Sequence, residues 1–342
     1  MTKRIIALLL ALASAAVLLA GCELRLGPPK TFEIPEMPVL SVEDLALLKK
    51  LSEDGDNKAL DDLLGSLMPP GYTLAAEQAV AVQPNLLPQG ETIDKAEVLK
   101  LVKKVQDIFN SGTFYLKGQG NNMMDNTGGA YAPLTLAVDQ DKMMMETQFD
   151  WNNMMGMAFQ EQGKEDLGQS KMQAGIARTA LGSTMRMLFV ENAVYMVYPE
   201  KKFAANLSQL SEEEEDFNGL SREMIGMFSQ FGSANPEMEN MQATKVKQGK
   251  NEYLCATLLV DQTDADGKKE GTSTVKYYFL KGDLKRLEVT YAATAQGESG
   301  SGSSVFEIEE FSGKVDSSFF STRGYTELNM GDMAKLTGLL NF

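Results

Sequence analysis

The sequence predicts an α+β fold: a strongly curved antiparallel sheet of about eleven strands, a half-barrel wrapped round helices, behind a helical and linker segment. Two observations lead there. From residue 113 onward, apolar residues recur at period two in short runs separated by turn residues. One amphipathic helix precedes those runs and a second interrupts them.

The first helix is expected from a Thr92 cap to Asn110. Val98, Leu101, Val102, Val105, Ile108 and Phe109 lie on one face at helical spacing, and Asn110-Ser-Gly112 ends it. Strands are then expected at 113–117, 132–138, 142–149, 184–190, 193–198 and 202–207. After the inserted helix they resume at 242–248, 252–260, 272–280, 284–291 and 303–311. Short polar spacers such as Asp139-Gln-Asp141 and Lys281-Gly-Asp283 imply antiparallel hairpins. The inserted helix opens on a capping box, Ser211-Glu-Glu-Glu214, whose acids favour the positive end of the helix dipole. Leu220, Met224, Met227, Phe228 and Phe231 follow at helical spacing. Segments 118–130 and 150–170 read as long loops, and a last short helix is expected at 331–340.

Ahead of this body, 23–39 is proline-rich and reads as an extended tether. Ser41 looks like an N-cap for a short helix bearing Leu45, Leu47, Leu48 and Leu51. A second helix is expected over 58–67, and 71–91 reads as a loop or linker.

The N-terminus is built differently. Lys3 and Arg4 precede an apolar run from Ile5 to Ala20, followed by Gly21 and Cys22. The run is shorter than the ~20 residues a membrane-spanning helix needs. A basic start, a short apolar core and a small-residue end form a signal peptide. Leu19-Ala20-Gly21-Cys22 resembles the lipobox of bacterial lipoproteins. That resemblance implies cleavage before Cys22 and a diacylglycerol on its thiol, so the expected division is 1–21 signal, 22–91 lipidated cysteine, tether and short helices, and 92–342 the half-barrel. The implied location is the cell envelope: the outer face of the cytoplasmic membrane, or the outer membrane in a cell with two.

Composition narrows the function. Without Lys3 and Arg4 the chain has 30 basic residues against 47 acidic, a balance of −17. Such a surface repels phosphate, so nucleic acid is not expected as a partner. Acyl chains rather than charge would hold the protein to its membrane. The chain has no histidine, which removes Ser-His-Asp and Cys-His catalysis and the commonest zinc and haem ligands. No phosphate loop, dinucleotide fingerprint or nucleophile elbow is present. The acidic pair Glu309-Glu310 lies along one strand and would face opposite sides. A non-enzyme without cofactor or metal, acting as a monomer, is the expectation. With Cys22 acylated, Cys255 stands alone in an apolar strand and reads as a small core residue.

The strand and helix order resembles the lipoprotein-carrier superfamily, the LolA/LolB-like half-barrels and their mycobacterial and Firmicute relatives, over about residues 92–328. The opening helix followed by Ser111-Gly-Thr-Phe-Tyr115 is similar to that family's first helix and strand. Val194-Tyr-Met-Val-Tyr-Pro199 is similar to its mid-domain strand, and Val315-Asp316 through Phe319 to Gly324-Tyr325 to its closing motif. Residues 23–91 have no counterpart in the small soluble carrier. The resemblance implies an apolar concave side that holds acyl chains, or a groove used for a partner.

The groove would be lined by Phe114, Leu116, Met143, Met145, Phe149, Met187 and Phe189. The inserted helix would add Met224, Met227, Phe228 and Phe231. The register is open, because a one-residue slip turns the whole set outward. Methionine is abundant, 21 residues, clustered at 123–124, 143–145 and 154–157. Such clusters serve either as an adaptable lip for an apolar ligand or as ordinary gap-filling core. Copper(I) on Met154, Met155 and Met157 lacks a nearby histidine or thiol to support it. Asp261 to Gly267 fails the calcium-loop pattern and reads as an Asp-Gly turn. The first functional expectation is a membrane-anchored binder of a lipid or other amphiphile. The alternative is an interaction or sensor lipoprotein with a filled barrel core.

Overall fold

The computed structural model describes residues 35, 40–75, 84–121, 131–161, 167–190, 193–209, 241–263, 269–295, 298–329, 331–332 and 334–335. Cys22 and the inserted helix with Met224, Met227, Phe228 and Phe231 lie outside these residues. So do the methionine pair 123–124 and most of the expected last helix.

Two helices open the described chain, α1 (Val42–Glu53) and α2 (Asn57–Leu67). Ser41 caps α1 through a capping box: its hydroxyl oxygen accepts from Asp44 N–H at 3.0 Å, and the Asp44 carboxylate accepts from Ser41 N–H at 3.1 Å. Asp56 caps α2. A two-residue strand β1 (Glu91–Thr92) leads into α3 (Lys95–Asn110). The cap of α3 is Asp94, not Thr92, because Thr92 is already paired with Thr244 in the sheet.

A first meander follows: β2 (Thr113–Asn121), β3 (Tyr131–Asp139), β4 (Lys142–Gln148), β5 (Thr184–Val190), β6 (Ala193–Tyr198) and β7 (Phe203–Asn206). Between β4 and β5 stand α4 (Trp151–Glu161) and α5 (Leu167–Leu181); the sequence suggested a loop over 150–170. The second meander is β8 (Gln242–Gln248), β9 (Asn251–Thr263), β10 (Lys269–Leu280), β11 (Asp283–Ala295) and β12 (Glu298–Ser312). A 3-10 turn, Ser317–Phe320, and the short β13 (Thr326–Glu327) complete the order.

All the described strands belong to one curved sheet in the order β1-β8-β9-β10-β11-β12-β2-β3-β4-β5-β6-β7-β13. β1 and β13 sit at opposite ends, so the sheet is open. The fold is α+β, as expected, with two short edge strands beyond the expected eleven. Among the described residues the one parallel pairing is β13 on β7. The two meanders meet at β12 and β2, where Glu307 to Ser312 pair with Gln119 to Tyr115. Gly118 makes that seam possible, since a Cβ there would collide with the Glu307 backbone.

Both faces of the sheet are covered, which explains its composition. On β4, Met143 and Met145 enter the main core while Met144 enters a second cluster on the other face. Three consecutive buried methionines therefore obey strand alternation. The inner face packs on α3 through Val98, Val102, Val105 and Phe109, and on α5 through Met172, Ile176 and Leu181. The outer face is crossed by two straps. Residues 313–325 lay Val315, Phe319, Phe320 and Tyr325 over Ala137, Met144, Leu188 and Val197. Phe319 stacks on Tyr115, with centroids 5.3 Å apart and planes 13° from parallel. Residues 84–90 lay Leu87 over Val246, Cys255 and Tyr278.

The sequence sets 22–91 apart from the body, but its described part is packed into it. Leu48, Leu60, Leu64 and Met68 belong to the main core. Lys171 on α5 pairs with Asp61 on α2 at 2.8 Å. Among the described residues no helix is long and apolar enough to cross a membrane.

Candidate functional site

The expected groove residues come from neighbouring strands and fall on one face. Met143 is opposite Val138 on β3 and Phe189 on β5, and Met145 is opposite Leu136 and Met187. Phe114 and Leu116 continue the row on β2. Phe114, Leu116, Met143, Met145, Met187 and Phe189 are buried in the main core, and the half-buried Phe149 packs at its margin. Phe149 meets Trp151 edge-on at 4.7 Å, and Trp151 Nε1 donates to the Gly182 carbonyl at 2.7 Å. The wall is thus a real surface of one continuous sheet, soft in chemistry and set in a single register.

The wall is not bare. α5 lies in the same core, and it is buried almost all round from Ser170 to Ala177. This helix escaped the sequence reading because a helix buried on every side has no polar stripe to mark its period. Its packing depends on Gly175, where a Cβ would come within 2.5 Å of the Thr73 carbonyl oxygen. The methionines of 143–145, Met155, Met172, Met185 and Met187 are core residues here. Met155 and Met172 sit on α4 and α5, opposite the strand methionines in function: they fill the concave side.

A cleft of about 200 Å³ opens elsewhere, between α3 and the ends of β11 and β12. Leu101, Val105, Ile108, Leu284 and Phe311 line it, with Lys104, Lys285 and three carboxylates at its rim. Ligand pockets commonly measure ~300–1,000 Å³. The cleft collects none of the expected wall residues. Glu309 and Glu310 both border it. A bulge between Ile308 and Glu310 breaks the alternation there.

The most polar buried group lies on the outer face, beneath strap 84–90. Glu288 Oε1 accepts from Leu87 N–H at 2.8 Å and from Arg286 Nε at 2.9 Å, and its Oε2 accepts from Tyr278 OH at 2.8 Å. Arg286 also donates to the Asn85 carbonyl and lies 3.6 Å from Glu307. Tyr131 OH donates to Glu307 at 3.0 Å. Burial, reinforced by the neighbouring thiol and Glu288, pushes the Tyr278 hydroxyl far up. Burial likewise raises Cys255, against weaker opposing hydrogen bonds from Thr244, Thr257 and Tyr278. Leu87, Tyr278, Arg286 and Glu288 are thus tied together beneath the strap. Among the described residues no cluster of three Cys, Asp or Glu could hold a metal ion.

Fold and wall together define an α+β protein with an open curved sheet around helices and an apolar, methionine-rich inner face. Among solved structures the chain is similar to the lipoprotein LppX of Mycobacterium tuberculosis, at 11% identity and a TM-score of 0.34 over 65% of this chain and 99% of that one. That likeness is too distant to carry a function. No family model matches the chain, and no curated protein does.

Proposed function

We propose that the chain is a non-catalytic binding lipoprotein of the cell envelope, anchored by lipid on Cys22, that holds a lipid or other amphiphile against the inner face of its sheet. The observation that supports this is the wall itself. Phe114, Leu116, Met143, Met145, Met187 and Phe189 present flexible thioethers and rings on one side of adjoining strands. Thioethers repack around apolar partners of varied shape at little cost. An acyl chain bound there would exchange helix-to-wall contacts for chain-to-wall contacts. The protein works as a monomer without a cofactor, and its acidic body keeps it off nucleic acid and anionic head groups. Native mass spectrometry of the full chain, released gently from membranes, tests the reading. A retained lipid-sized mass is expected, and a clean apo mass overturns it.

A second reading is favoured by α5, which occupies the concave side as a helix buried nearly all round. In that reading the core is permanently filled, and the outer surface binds a protein or an envelope component. The clean apo mass is the outcome that reading requires.

A further inference from the structure

The side-chain amide of Gln173 on α5 is a polar group that the wall alone leaves unused. It is 0% exposed, and neither its oxygen nor its nitrogen has a hydrogen-bond partner among the described residues. Buried amides are otherwise paired as a rule, because an unpaired one loses its water contacts without replacement. Its direction follows from helix geometry. Lys171 reaches Asp61 on α2, and Gly175 abuts Thr73 and Leu74. With 3.6 residues per turn, Gln173 lies on about the opposite side of α5, in line with Ile176, Ala177 and Ala180. Those residues belong to the core that contains the methionine wall. The amide is therefore turned away from α2, on the side of α5 where Ile176 and Ala177 enter the main core.

We propose that Gln173 is the hydrogen-bonding contact for the head of an uncharged amphiphile, of the chemistry of a monoacylglycerol. This rests on the amphiphile-binding reading above. A primary amide offers two donors and a carbonyl acceptor. A free hydroxyl beside an ester carbonyl offers the complement, and its single acyl chain suits the thioether wall. A phosphate or carboxylate head does not fit. The buried charged side chains among the described residues are Arg286, Glu288 and Asp332. Arg286 and Glu288 are committed to each other on the outer face, and Asp332 would repel an anion. An anionic head in the interior would stand without a counter-ion.

The test uses proteoliposomes carrying the full chain and two photoreactive lipids with the same diazirine acyl chain, a monoacylglycerol and a phosphatidic acid. The wild type should crosslink to the monoacylglycerol, within peptides of α5 or the wall strands, and far less to the phosphatidic acid. Gln173→Met keeps the length of the side chain and removes its hydrogen bonds. Its labelling should fall ~10-fold, the loss of one or two neutral hydrogen bonds. Its urea resistance should equal or exceed that of the wild type, since an unpaired amide has been removed. Gln173→Leu serves as the second variant, with the same outcome expected. Undiminished labelling of a stably folded variant, or equal labelling by the phosphatidic acid, overturns the Gln173 assignment alone. A wild type that takes up neither lipid overturns the amphiphile-binding reading with it.

Discussion

Arg286 and Glu288 stand two residues apart on β11, so both side chains point to the outer face, where Nε meets Oε1 at 2.9 Å. They are 3% and 1% exposed, sealed beneath the strap that carries Asn85 and Leu87. Losing Arg286 removes the close hydrogen-bonded partner of the buried Glu288 and leaves it only the longer contact with the half-buried Lys276, at 3.7 Å. Arg286→Met should cost ~3–5 kcal/mol of stability. The double change Arg286→Met with Glu288→Gln should cost less than the sum of the single changes, because the two charges that face each other at 2.9 Å are removed together. Urea unfolding of the four proteins gives the coupling; strict additivity would mean the pair is not a unit.

Leu87 lies over Cys255 and Tyr278, which are themselves directly opposed on β9 and β10. Leu87→Ala should cost ~2–3 kcal/mol by opening a cavity under the strap. It should also admit solvent to the thiol. Cys255 in the native wild type should react with maleimide only at the rate of unfolding, because burial both shields the thiol and keeps it protonated. Faster modification mapped to Cys255 in the variant is the expected result. Equal rates would show that the strap does not guard this face.

Met145 and Met187 are cross-strand partners at the centre of the wall. Met145→Leu conserves volume and should cost under ~1.5 kcal/mol. Met145→Ala should cost ~2–5 kcal/mol. Thermal or urea unfolding separates the two. A wall with spare room would instead tolerate alanine as well as leucine.

Glu200 supplies a pH dependence. Burial alone would raise its pKa, but the Ser183 and Thr184 N–H groups, each 2.8 Å from Oε1, outweigh that and hold the carboxyl below 4.5. The folded state therefore binds this proton less readily than the unfolded chain. The stabilisation is complete above the unfolded value near 4.5 and disappears as pH falls through the lower folded value. Between about pH 6 and about pH 3 the wild type should lose more stability than Glu200→Gln, whose amide does not titrate in that range. Parallel losses would remove Glu200 from the acid response.

The strands were legible because local pattern sets them. The strands 184–190, 193–198 and 242–248 have the bounds that alternation and turn residues imply. Period two puts Phe114 with Leu116, and Met143 with Met145, on one face of their strands, but that this face is the inner one came from the fold and not from the sequence. Where partners lie far away in sequence, local pattern carried no signal. The strap 84–90 reads as a linker from Pro84, Pro88 and Gly90, yet Leu87 is fixed by a carboxylate 201 residues away. Helix α5 is hidden for the opposite reason: with Met172, Gln173, Ala174 and Ile176 all buried, no face stays polar. The unpaired Gln173 amide could be flagged only once its burial was known.

The seam between β12 and β2 has a consequence for the order in which the molecule is made. Glu307 to Ser312 are translated about 190 residues after the strand they complete. β2 gains its second neighbour only when nearly the whole chain is out, so the first meander passes that interval with β2 as an open edge strand. Contacts this distant slow folding, and an open strand edge invites pairing with another chain. Newly made protein is thus most vulnerable to misassembly just before its last long strand arrives. Truncations that stop short of residue 305 should aggregate rather than persist as a smaller sheet.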